Sequence, residues 1–300
     1  MHFPGSTQET IAALQDHVRA LTVEIGERSV NHPKNLARAA GYIRSFYEGL
    51  GLPVILEPYL YRDFQVANVI TEVGPGSHPS RRYILGAHYD TARGTVGADD
   101  NASAIAVQLE VARQLKMLHG DTQPDLTVKC VSFTLEERPA FWTPYRGSWV
   151  HARRMRREGE AIDGMLCLEM VGYCLRSQGS QKYPFPLTHL GYPGVGDFVA
   201  VVSDGNSKDL AGALLSAFGK NPDLPVQSLT VPLKGWLSPF VRRSDHVSFW
   251  DLGYKAVMIT DTANFRNPNY HKESDTMDTL DYSFMAELVE SLLLFFGAPR

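Results

Sequence analysis

Cysteine is too scarce here to hold a chain together. Cys130, Cys167 and Cys174 are the only thiols in 300 residues, which makes no disulfide framework and leaves at least one thiol unpaired within the chain. Cys130 and Cys167 fall in apolar, strand-like runs and read as buried free thiols. Long hydrophobic runs are also missing. No stretch reaches the ~18 apolar residues that cross a bilayer as a helix, so no membrane partner is expected. The N-terminus lacks a basic region followed by an apolar run. As given, the chain reads as cytoplasmic, or as secreted or periplasmic if a signal peptide preceded it. Nor is there an excess of one charge. The net charge is -4, with no basic stripe for nucleic acid and no block of like charges to form a tail.

What is present is the material of an ordinary enzyme. Hydrophobic residues make up 44% of the chain, ample for a core, and α/β enzymes of this length often fold as one unit. A single catalytic domain over residues 1–300 is therefore expected. Ile11, Leu14, Val18, Leu21 and Ile25 recur at steps of three and four, one face of an amphipathic helix. A second helix is predicted from Asn35 to Leu50, with Gly51 as its stop. Strand-like runs follow at Val54–Leu60, Val66–Val73, Tyr83–Ala87, Val128–Leu135, Met165–Val171, Phe198–Ser203 and Ala256–Thr260. Helical segments at Ala102–Leu118, Gly147–Arg157, Lys208–Phe218, Ser244–Leu252 and Tyr282–Phe296 alternate with them. Tyr173–Asp197, rich in Gly, Pro, Ser and aromatics, reads as a long loop, and loops of that length are usually functional. The alternation predicts an α/β fold: a mostly parallel, mixed central sheet with helices on both faces, a three-layer sandwich.

Five short segments carry the chemistry. Ligands in open α/β sheets gather at the carboxyl ends of strands. Gly86-Ala87-His88-Tyr89-Asp90 offers a histidine ligand and a carboxylate that can accept its second N–H. Gly97-Ala98-Asp99-Asp100-Asn101-Ala102-Ser103 opens a helix. Capping would need only one such side chain, and adjacent carboxylates repel unless cations neutralise them. Phe133-Thr134-Leu135-Glu136-Glu137 ends a buried strand with two carboxylates, one suited to ligation and the other to proton transfer. Leu166-Cys167-Leu168-Glu169-Met170-Val171-Gly172 sets one carboxylate inside an apolar run, where a buried charge needs a partner or a metal. Tyr270-His271 follows the Ala256–Thr260 strand and a polar loop.

In this order the segments resemble the two-zinc aminopeptidases of metallopeptidase family twenty-eight, whose fold glutaminyl cyclases share. The twelve-position separation of His88 and Asp100, Ser244-Asp245-His246 and Asp275-Thr276 also match, and the resemblance covers roughly residues 35–297. It implies that Asp100 bridges two zinc ions and that its bond to Asn101 is cis. It implies that His88 and Glu169 complete one site, and that Glu137 and His271 complete the other. Glu136 is then the general base and acid, and Asp90 orients His88. Tyr270 would support the tetrahedral intermediate and Arg243 would contact substrate. Two positions depart from the pattern. Glu169 stands where Asp is common, so one zinc instead of two is possible if that site is weak. Ala104 stands where Gly is frequent.

The chemistry is coherent on its own terms. Two zincs roughly 3.5–4 Å apart can polarise a peptide carbonyl, and mixed His and carboxylate ligands suit zinc while also admitting cobalt or manganese. The expected function is a zinc-dependent exopeptidase, an aminopeptidase acting on peptides, with Glu136 and Glu169 meeting the substrate's free ammonium. The alternative is a glutaminyl cyclase-like acyltransferase using a single zinc on Asp100, Glu137 and His271. Those cyclases typically carry Trp before the final His, and Tyr270 here favours hydrolysis.

Overall fold

The computed structural model describes residues 6–74, 80–119, 125–185 and 187–297. The strands are β1 (Val54–Tyr61), β2 (Phe64–Val73), β3 (Arg81–His88), β4 (Leu126–Phe133), β5 (Gly164–Glu169), β6 (Leu175–Gln178), β7 (Val195–Gly196), β8 (Val199–Asp204), β9 (Val226–Val231) and β10 (Ala256–Thr260). The helices are α1 (Thr7–Arg19), α2 (Pro33–Gly49), α3 (Ala104–His119), α4 (Gly147–Glu158), α5 (Lys208–Phe218), α6 (His246–Asp251) and α7 (Tyr282–Phe296).

Eight strands form one mixed sheet in the order β1-β2-β4-β3-β5-β10-β8-β9. The central run β4-β3-β5-β10 is parallel throughout, β8-β9 is parallel, and the remaining neighbours are antiparallel. β3, β5 and β10 are nearly continuous apolar runs because helices cover both their faces. Buried residues of α1, α2, α3, α5 and α7 pack on one face, and those of α4 and α6 on the other. The expected mixed α/β sandwich is what forms. Cys130 and Cys167 are buried free thiols in it, and Cys174 is free and partly buried. No helix among the described residues is long and apolar enough to cross a membrane.

Three local readings need correction. The periodic face expected to run as one helix through Ile25 is α-helical only to Arg19, and Ala20–Ile25 widens into π-helical turns. Gly26 N–H reaches back five residues to the Leu21 carbonyl, which also accepts from the Arg28 guanidinium. The stretch 173–197 is not all loop. β6 and β7 pair within it as a small separate ribbon, while Pro186 lies outside the described residues. β9 was not anticipated. Its alternation of half-buried and exposed positions at the sheet edge gives a weak apolar signal.

Two histidines are sealed into this core as neutral rings. His17 hydrogen bonds Tyr42 Oη at 2.7 Å and meets Phe46 edge-on, and burial pushes its pKa down to about 4. His246 donates to the Val241 carbonyl at 2.8 Å, and burial pushes it down to about 3. Between those values and the unfolded value of about 6.5, the unfolded chain binds protons that the folded chain refuses. Stability is therefore full above about pH 6.5 and lost as pH falls through that window. At pH 5 each ring should cost about 2 kcal/mol relative to pH 7.5. Urea unfolding with a chelator present should show a smaller pH-dependent loss for His17→Gln than for wild type. Equal losses would contradict neutral burial of His17.

Candidate metal centre

The register of the parallel strands sets the site. His88 closes β3 opposite Phe133 at the end of β4, and Glu169 closes β5 opposite Thr260 at the end of β10. Just past β4, just past β5 and in the loop after β10, Leu135, Met170 and His271 are non-glycine residues with positive φ of 58°, 49° and 58°. Such costly conformations gather at functional sites. The break at Leu135 turns Glu136 and Glu137 inward. The break at Met170 ends β5 beside Glu169.

Asp100 is supplied by the turn before α3, and the residues around it build that turn. Gly97 has φ of +55°, and a Cβ there would lie 2.1 Å from the Asp100 carbonyl, so only glycine fits. The Asp100-Asn101 bond is cis. The Asn101 side chain donates to Leu168 O at 3.1 Å and accepts from Met170 N–H at 2.9 Å, gripping the backbone on both sides of Glu169. Ser103 Oγ donates to the Asp99 carbonyl and accepts from Val171 N–H. Asp99 accepts from Gly172 N–H and from the Asn267 amide. The Asp275 carboxylate accepts from the N–H groups of both Asp99 and Asp100, at 2.8 and 3.1 Å. The loop carrying His271 is thereby tied to the Asp100 turn on either side, through Asn267 and Asp275. The N-cap position is Gly97, which has no side chain to cap the turn, and the distant Asp275 takes the free N–H groups instead.

Two donor triads result, and they share Asp100. His88 Nε2 lies 3.3 Å from Asp100 Oδ1 and 3.4 Å from Glu169 Oε2. His271 Nε2 lies 3.1 Å from both Asp100 Oδ2 and Glu137 Oε1. Each oxygen of Asp100 thus faces a different histidine. His88 Nε2, Asp100 Oδ1, Glu136 Oε1 and Glu137 Oε1 are buried with no hydrogen-bond partner. Unsatisfied buried polar atoms are rare in folded proteins, and four converging in one place fit cations. The imidazole and carboxylate donors are those that bind zinc.

The electrostatics agree. Burial opposes the charge of Asp100, but His271 and His88 on either side hold its carboxyl well below the usual range. Burial pushes Glu169 up to about 7, and Asp100 adds to the effect. Burial also pushes Glu136 well above the carboxylate range, with Glu169 and Glu137 repelling its charge. Burial works against a charged His271, but Asp100 and Glu137 raise it to about 10.

The other expected residues fall around this centre. Asp90 turns its carboxylate to the strand-end break, where its two oxygens accept from Glu136 N–H and Glu137 N–H, each at 3.0 Å. Its Oδ1 is 3.4 Å from His88 Nδ1, while its own carbonyl is nearer, at 3.1 Å. Asp90 therefore bears on both histidine and glutamates, more than its spacing from His88 suggested. Tyr270 stacks on the His271 ring at 3.8 Å between centroids. Tyr270 and the exposed Arg243 line a cleft that opens beside Glu169. Sequence reasoning did not single out Arg28, Asn267 or the bond from Ser244 Oγ to Glu169 Oε2 at 2.5 Å. Arg28 and Asn267 lie in polar stretches with no periodicity to mark them, and nothing in the spacing of the matched Ser244-Asp245-His246 segment pairs Ser244 with Glu169.

Residues 68–296 match Peptidase family M28. A relative of uncharacterised function in Escherichia coli K12, YfbL, is 36% identical over 288 residues, covering 93% of this chain and 85% of that one. A probable zinc metalloprotease of Pyricularia oryzae is 24% identical over 83% of this chain but only 48% of its own length. The chain belongs to Peptidase family M28, a family of zinc peptidases. Among solved structures, the zinc aminopeptidase BSAP of Bacillus subtilis superposes with a TM-score of 0.73 at 15% identity, covering 98% of this chain and 96% of that one. A glutaminyl cyclase of Bacteroides thetaiotaomicron bound to N-acetylhistamine superposes at 0.70 with 18% identity, covering both chains fully. The fold is common to both activities and does not separate them.

Replacing Asp90 by Asn should disturb both things its carboxylate faces. An amide has one acceptor oxygen, so its NH₂ must oppose the N–H of Glu136 or Glu137. Zinc affinity, read by competition with a chromophoric chelator, should fall roughly 10–100-fold, the scale for residues that orient ligands. An affinity equal to wild type would rule out that role.

Proposed function

We propose that this protein is an aminopeptidase that holds two zinc ions, one with His88, Asp100 and Glu169 and one with His271, Asp100 and Glu137. The observation carrying the proposal is the sharing of Asp100 between two triads, one oxygen to each. Zinc supplies Lewis acidity that polarises a peptide carbonyl and makes water acidic near neutral pH.

The rest falls to the chain. Glu136 has an unpartnered buried oxygen at the centre and ligates in neither triad. It takes the proton from the attacking water and gives it to the leaving amine, a role contributing roughly 10²–10⁴-fold. The carboxylates of Glu136 and Glu169 receive the substrate's ammonium, which restricts attack to the N-terminal residue. That residue's side chain enters the cleft, where Phe198, Val202, Phe240, Met258 and Phe265 make an apolar wall. Tyr270 and Arg243, lining the same cleft, contact the peptide beyond. A peptide is thus the proposed partner.

The two adjacent glutamates provide the test. Glu136→Gln should keep both zincs and the binding of a substrate-like inhibitor, while turnover of aminoacyl-nitroanilides falls by roughly 10²–10⁴-fold. Glu137→Gln should deplete the zinc shared with His271, with partial recovery in excess zinc. Metal loss from Glu136→Gln with retention in Glu137→Gln would reverse the assignment. Wild-type turnover of N-terminal glutamine to the cyclised product, with no release of nitroaniline, would replace the peptidase by the single-zinc acyltransferase.

A further inference from the structure

Arg28 is fully buried, with no exposed surface, and it lies in the segment preceding the part of the chain that matches the family. Its guanidinium donates to five backbone carbonyls: Tyr89 at 2.8 Å, Leu21 at 2.9 Å, Gly26 at 3.1 Å, Val96 at 2.8 Å and Gly97 at 3.0 Å. Its own N–H donates to Thr91 Oγ1 at 3.1 Å. Among the described residues it forms no ion pair with a carboxylate. Burying a guanidinium this way is costly, and burial pulls its pKa down to about 10 against the opposing fields of Asp90, Asp275 and Asp100.

The carbonyls it grips are not scattered. Tyr89 lies between His88 and Asp90. Val96 and Gly97 begin the turn that presents Asp100. On the far side of that turn, Asp275 accepts the N–H groups of Asp99 and Asp100. The turn is therefore held by a cation on its carbonyls and an anion on its N–H groups. A planar, five-donor fork suits the first task, and an ammonium cannot reproduce it.

We propose that Arg28 is a positioning residue for the metal centre, clamping the His88 and Asp100 segments at a fixed separation so that both triads form. This rests on the metal reading above. A clamp and a mere charge predict opposite signs. Arg28 is a cation near the zinc ions, so as a charge alone its loss would tighten zinc binding. As a clamp, its loss loosens binding.

The experiment measures zinc affinity by chelator competition on folded protein, with circular dichroism confirming the fold. Arg28→Lys keeps the charge, and Arg28→Met removes it. Both should bind zinc about 10–100-fold more weakly, the usual scale for supports of ligating residues. Leu214→Ala, in the buried core of α5, should lower the unfolding midpoint and leave zinc affinity unchanged. Should the Arg28 variants not fold, Thr91→Val disturbs only the seat of the Arg28 N–H and should still weaken zinc several-fold. Unchanged or tighter zinc binding in folded Arg28 variants, or unchanged binding in Thr91→Val when those do not fold, would overturn the clamp while leaving the metal centre standing. Wild-type protein that takes up no zinc would overturn both.

Discussion

Mutual repulsion among buried carboxylates is the constraint on which the rest of this molecule depends. Asp90, Asp100, Glu136, Glu137 and Glu169 are all buried at one end of one sheet. Like charges in a dry space cannot all ionise unless something positive is placed among them. Two histidines stand among these groups, and the unpartnered atoms of both triads face inward. The donor geometry fits divalent cations, with one oxygen of Asp100 turned toward His88 and the other toward His271.

The protein holds this arrangement largely by backbone. Asp90 takes the N–H groups of the two glutamates, and Asp275 takes those of the Asp100 turn. Asn101 stitches that turn to the end of β5, and Arg28 gathers the carbonyls behind it. Each carboxylate at the centre is thus set by a strand end or a turn whose peptide groups are themselves fixed. Preorganisation of this kind lets a site act without rearranging its ligands during reaction.

Much of this was legible in the chain. Parallel strands read as short apolar runs and helices by their period, so the α/β class followed from spacing alone. The carboxylates at strand ends were conspicuous because nothing structural needs them there. The triads needed more, since the pairing of His271 with Glu137 joins residues 134 positions apart, and only the resemblance to a family supplied it. Arg28 was illegible for a plain reason. An arginine in a polar stretch after a helix looks like a surface residue, and its burial depends on tertiary closure of loops far away in sequence. β9 escaped because an edge strand is only half apolar, and the π-helical turn because Leu21 and Ile25 keep a spacing that an α-helix would also show.

The central claim is that Asp100 bridges two metal ions. Anomalous diffraction at the zinc edge from crystals grown with excess zinc tests it most directly. The account predicts two peaks per chain, about 3.5–4 Å apart, with one Asp100 oxygen on each, His88 and Glu169 at the first and His271 and Glu137 at the second. A single peak, or two peaks that do not share Asp100, would contradict it.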